Sequence, residues 1–190
     1  MKTCNLNTKL IANADLDKAD LFKAWRILAK LQKEIDSCDI NSTCTAHGFG
    51  PFRAAIYDAN DNLISVASNS VVNDMCSNNH AEMNAIRDAQ KLLNTYDLTE
   101  HNLTMYVTSE PCMMCLGAIM WSGIRRVFYG VPSNRVEEIT GFDEGFKQGW
   151  LNEFARRGIR VYGNIASKIG EQELENYVAN GNLVYKPDRN

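Results

Sequence analysis

The chain has 190 residues, 45% hydrophobic and 23% charged, a balance that fits one water-soluble globular domain spanning 1–190. Lys plus Arg number 20 against 23 Asp plus Glu, so the basic excess of a general nucleic-acid binder is missing. No window approaches the roughly 18 apolar residues of a membrane span.

Ala12-Asn13-Ala14 imitates a leader-cleavage site, but Asn5, Asn7, Thr8 and Lys9 break the apolar core that a leader needs. A cytoplasmic protein is therefore expected, with its six cysteines used as metal ligands or catalytic groups and not as a disulfide framework.

Residues 16–36 carry Leu21, Trp25, Leu28, Leu31 and Ile35 at steps of three and four, which predicts an amphipathic helix. A polar stretch holding Cys38, Cys44 and His47 reads as a loop up to residue 50. Ala54–Asp58 and Leu63–Ala67 flank Asn60-Asp61-Asn62 and read as a β-hairpin. A helix follows over Ala81–Leu93, a strand over Leu103–Thr108, and a helix from Pro111 to about Trp121. Val127–Val131 is the next strand. Leu151–Arg157 is helical, Ile159–Tyr162 is a strand, and Ile169–Val178 is a terminal helix. This alternation places helices on both faces of a sheet, with crossovers that allow the strands at 103, 127 and 159 to run parallel. Eight Lys/Arg against five acids over 121–168 make a modest basic patch, read as a solvated face.

Two motifs carry chemistry. His80-Ala81-Glu82 opens one predicted helix and Pro111-Cys112-Met113-Met114-Cys115 opens another, with 28 residues between Glu82 and Pro111. Cys112 and Cys115 are three apart at a helix start, where the dipole favours thiolates. One imidazole and two thiolates are three zinc ligands, which leaves a fourth position for water, as in catalytic sites. Glu82, two residues from His80, is placed as general base and then general acid. The alternatives are a structural site completed by Cys76, Cys44, His47 or His101, and a redox-active C-x-x-C pair.

These motifs match the H-x-E and P-C-x-x-C signature of zinc nucleobase deaminases, and the chain resembles the cytidine-deaminase-like zinc hydrolases. Within them, Glu110 to Trp121 and Gly141-Phe142-Asp143-Glu144 are similar to bacterial-type guanine deaminases. The Lys-x-Gly-Ala stretch usual in tRNA adenosine deaminases is absent. The resemblance implies an α/β fold, a three-layer α/β/α sandwich with a five-stranded mixed sheet. It would comprise an N-terminal helix (16–36), a zinc core (48–162), and a C-terminal helix and tail (163–190).

The implied activity is hydrolysis of guanine to xanthine and ammonia with one zinc per chain. A tRNA adenosine deaminase, a deaminase of a triazine, cytosine or pterin, and a non-catalytic zinc-stabilised module are the alternatives. His80, Cys112 and Cys115 would hold zinc, and Glu82 would be catalytic. Glu144, or failing it Asp143, would assist as a second acid. Asn69 would bond the purine edge, the N–H of Ala81 would contact substrate, and Phe52 and Trp121 would lie beside the base. The resemblance further implies a small purine base as partner, no nucleic acid, and a homodimer in which the C-terminal segment reaches the partner's site.

Overall fold

The computed structural model describes residues 16–33, 50–145 and 147–184. Helix α1 (Lys18–Lys33) precedes a hairpin of β1 (Arg53–Tyr57) and β2 (Leu63–Ser68). The hairpin turn is held by Asp58, whose carboxylate accepts from the backbone N–H groups of Asn60 (2.8 Å) and Asn62 (2.9 Å). Then come α2 (Ala81–Leu92), β3 (Thr104–Ser109), α3 (Met113–Ser122), β4 (Arg126–Val131), α4 (Ser133–Thr140), α5 (Trp150–Arg156), β5 (Arg160–Tyr162) and α6 (Ser167–Ala179).

The sheet runs β2-β1-β3-β4-β5. Its first two pairings are antiparallel and its last two parallel, so the expected five-stranded mixed sheet is present. Alternate side chains of the central strands are buried on opposite faces, as the period of two requires. Ile56, Met105, Val107, Val127 and Tyr129 pack with residues of α2, α3 and α5. Ala55, Tyr106, Phe128 and Tyr162 pack with Ala24, Leu28 and Leu31 of α1. These two cores make the three layers. On the α1 side the rings of Tyr106, Phe128 and Tyr162 stack across neighbouring strands at 5.1 and 4.8 Å.

The inward face of α1 differs from the predicted one. Leu21 and Trp25 are 39% and 45% exposed, and the buried stripe is Ala24, Leu28, Leu31 and Gln32. Gln32 crosses the core to donate its Nε2 to the carbonyl of Thr108 at 3.3 Å. Space for it exists because residues 130 and 170 are glycines: a Cβ there would lie 2.3 and 2.5 Å from that nitrogen. Ile35 and the expected loop with Cys38, Cys44 and His47 lie outside the described residues.

Two further differences bear on the site. Helix α3 starts at Met113, two residues after Pro111, because Cys112 is its extended N-cap (φ −69°, ψ 170°). Helix α4 was not expected. Only Val136 is buried in it, so it has no apolar periodicity to read. Val136 joins Val131 and Leu174 of α6 in a third cluster, against which Phe52 and Phe142 pack. Among the described residues no helix is long and apolar enough to cross a membrane.

Candidate active site

In sheets with parallel strands, sites form beyond the carboxyl ends of those strands. Here β3 ends at Ser109, and Glu110-Pro111 carry the chain to Cys112. His80 and Cys112 occupy equivalent positions: each is the extended N-cap of a helix, α2 and α3 respectively. An N-cap side chain leaves the helix at its amino end, so two helix dipoles converge where the ligand atoms meet. Cys112 Sγ lies 3.5 Å from His80 Nδ1, and the ligand atoms of His80, Cys112 and Cys115 are all within 4.8 Å of one another.

That donor set fits zinc. Zn–S and Zn–N bonds of about 2.3 and 2.0 Å at tetrahedral angles put sulfur and nitrogen about 3.5 Å apart. Among the described residues the group has three members. Cys76 and His101 do not join it, and Cys44 and His47 lie outside the description, so the closed four-ligand alternative gains no support. The hydrogen of Cys115 on its sulfur, with help from His80, holds the Cys112 thiol down at about 4 against the opposing effect of burial. The same bond from the other side, then burial, pushes Cys115 up. For His80, burial pulls downward but is outweighed by the Cys112 sulfur, so the net direction is up.

The ligands line a cavity of about 700 Å³ together with Phe52, Asn69, Glu82, Phe142 and Glu144. Glu82 is 6% exposed, and burial first, then the Cys112 sulfur, raises its carboxyl to about 7. Glu144 enters from the loop after α4. Its Oε2 accepts from the Ser133 hydroxyl at 2.5 Å and from Lys147 Nζ at 2.7 Å. Burial raises its pKa, opposed by Lys147. The rings of Phe52 and Phe142 meet edge to face at 5.5 Å and form an apolar wall.

Most of the residues singled out in the sequence converge here, with informative exceptions. Asn69 lines the cavity while its Oδ1 accepts from the Val71 N–H at 3.2 Å, so it also serves its own turn. Ala81 is the first residue of α2 with its methyl group in the core, and its N–H is in the turn that no intrahelical carbonyl reaches. Asp143 is at the cavity edge, exposed, and binds the Gly145 N–H at 2.8 Å, a turn role; Glu144 is the inward acid.

Trp121 does not belong to this cavity. It lies at the far end of α3, 84% exposed, beside Tyr96, Arg125 and Arg157. Gly181, Asn182 and Leu183 line the cavity of their own chain, fixed by a bond from the Tyr177 hydroxyl to the Leu183 carbonyl at 2.7 Å. The described part of the tail thus stands beside the site of its own chain, and residues 185–190 lie outside the described residues. Sequence reading missed Ser133, Lys147 and Glu110, which surround Glu144; isolated polar residues in polar stretches carry no pattern. It also missed Asn84, whose Nδ2 holds Ser68 O (3.0 Å) and Ser70 Oγ (3.0 Å) and so ties the Asn69 turn to α2.

The chain is similar to several known proteins. A guanine deaminase from Nitrosomonas europaea superposes with a TM-score of 0.72 at 32% identity, over 82% of this chain and 83% of that one. A further solved structure, of a protein in complex with 8-azaguanine, superposes with a TM-score of 0.74 at 32% identity over 82% and 84%. The guanine deaminase of Bacillus subtilis (strain 168) is 39% identical over 97 residues, 51% of this chain and 60% of its own. The tRNA-specific adenosine deaminase of Buchnera aphidicola subsp. Schizaphis graminum is 42% identical over 76 residues, 40% of this chain and 49% of its own. The chain thus spans about half to three fifths of the length of these curated relatives. The family model for the cytidine and deoxycytidylate deaminase zinc-binding region matches residues 35–131, and the chain belongs to this family of zinc-binding deaminases.

Proposed function

We propose that the chain hydrolyses guanine to xanthine and ammonia. The observation that carries this reading is the second buried carboxylate: Glu82 and Glu144 face one apolar-walled cavity at the ligand cluster. Hydrolysis at C2 of guanine protonates both a ring nitrogen and a departing amino group, and two acids divide that work. His80, Cys112 and Cys115 would hold the zinc, which when bound supplies a polarised water as nucleophile. Glu82 accepts a proton and delivers it to the ring nitrogen. Glu144 carries a proton to the leaving amine, with Asp143 too exposed for that task. Asn69 offers an amide to the purine edge, the Ala81 N–H turns to the base, and Phe52 stacks on it. Trp121 is given no role at this site.

The cavity also bears on the competing substrate, adenosine in tRNA. Glu82, Glu110, Asp143 and Glu144 line it, and among the described residues no Lys or Arg does, so it offers a neutral base a pocket and a phosphodiester no cationic lining. In the basic patch, Arg126, Arg135, Lys147, Arg156 and Arg157 are paired with carboxylates. Ammonia release is to be compared over guanine, adenine, cytosine, ammeline and tRNA. Guanine is expected to turn over fastest, and a faster rate on tRNA or cytosine would reject the substrate assignment.

We further propose a single-domain protomer that forms homodimers through α3, where Met113 and Met114, which also line the cavity, and Trp121 are exposed and a side chain at Gly117 would meet open space. Light scattering is expected to give the mass of two chains for the native protein and of one for Gly117→Arg. A native monomer would reject this contact.

A further inference from the structure

We infer that Lys147 is a positioning residue that holds the Glu144 carboxylate in its working place. Its Nζ lies 2.7 Å from Glu144 Oε2 and 3.5 Å from Glu110 Oε1. It also donates to the Ser133 hydroxyl, and to the carbonyl of Pro111 at 3.3 Å. Its side chain is 10% exposed, as is that of Glu144, and Glu110 is 14% exposed. Lys147 does not line the cavity, whereas Glu144 and Glu110 do. The ammonium group stands behind the carboxylate and acts through it.

The chemistry requires such a group. Glu144 is a buried carboxylate on a loop, between α4 and α5, and a loop alone does not fix a side chain to the tolerance that proton transfer needs. Ser133, the first residue of α4, and Lys147 grip the same oxygen, Oε2. Ser133 is itself fixed by its backbone N–H, which donates to Glu110 Oε2 at 3.1 Å. Lys147 thus ties three segments at one point: the Glu110-Pro111 stretch before Cys112, the start of α4, and the Glu144 loop. Without the cation, two nearly buried carboxylates would lose the charge that compensates both.

The inference rests on the reading of Glu144 as a second proton carrier, and a double-mutant cycle separates the two. Wild type, Lys147→Met, Glu144→Gln and the double variant are compared on whichever amino-heterocycle the wild type deaminates fastest. A fastest substrate other than guanine rejects the substrate assignment and leaves the cycle intact. Lys147→Met is expected to lower kcat roughly 10- to 100-fold, with KM and zinc content little changed. In the Glu144→Gln background the same substitution is expected to cost almost nothing further, because its effect passes through the missing carboxylate. Lys147→Arg is expected to recover most of the loss. Equal losses in both backgrounds, no loss at all, or an Arg variant no better than Met would overturn the inference. If the Met variant does not fold, Lys147→Gln, which keeps a donor toward Glu144, takes its place in the cycle. A crystal structure of Lys147→Met with the Glu144 carboxylate still against Ser133 would overturn it without reference to turnover.

Discussion

Glu82→Gln is expected to keep one zinc per chain and to lower kcat by roughly 10²- to 10⁴-fold. The side chain sits in the first turn of α2, two residues after His80, 6% exposed, and outside the three-member ligand group. Gln has the same shape, so packing around Ala81 and Ala85 is preserved. What is lost is the capacity to accept a proton and release it. Burial holds the carboxyl near 7, close to the working pH, where a group exchanges protons in both directions most readily. Each factor of ten corresponds to about 1.4 kcal/mol of transition-state stabilisation. The measurement is kcat together with metal content by elemental analysis. A Gln variant that loses zinc would make Glu82 a ligand, and one within tenfold of wild type would remove it from the proton path.

Cys115→Ala is expected to abolish zinc binding and turnover together while leaving the helices formed. Its sulfur is fully buried in the first turn of α3, and the cluster holds only three ligand atoms among the described residues, so two remain. Zinc binding stabilises the folded state by mass action, about 4 kcal/mol when free metal is 1,000-fold above Kd. Chelation of the wild-type protein should therefore lower its melting temperature, and added zinc should restore it; the variant should melt at the chelated value whether or not zinc is added. The far-UV circular dichroism of both is expected to stay helical, because the two cores on either side of the sheet contain none of the three ligand residues. Collapse of the helical signal on chelation would mark the site as structural. Full activity after chelation would remove zinc from the chemistry.

The fold and the ligand set were legible for one physical reason. Strand and helix alternation is written in apolar spacing, and a ligand pair at a helix start is written in residue type at a fixed step. Hence β1 through β5 fell within a residue or two of their expected bounds, and His80, Cys112 and Cys115 met as their spacing implied. What could not be read depended on contacts distant in sequence. Gln32 looks like a surface residue until Gly130 and Gly170 open room for it. Trp121 was set beside the base by resemblance alone, and because α3 is largely apolar no period tells which of its sides faces inward. The Phe142–Glu144 segment was recognisable, but not its grip by Ser133 and Lys147, which the path of the unexpected α4 brings together.

The two N-cap ligands have a consequence for distant substitutions. Since His80 and Cys112 stand at the tips of α2 and α3, the gap between them is set like the jaws of a caliper, by how closely the two rods lie along their length. Ala85 and Ala89 of α2 and Ile119 of α3, fully buried in the core that the two helices share, are therefore expected to govern metal affinity without touching the metal. Enlarging any of them would open the jaws, and affinity would weaken well before the molecule lost its fold.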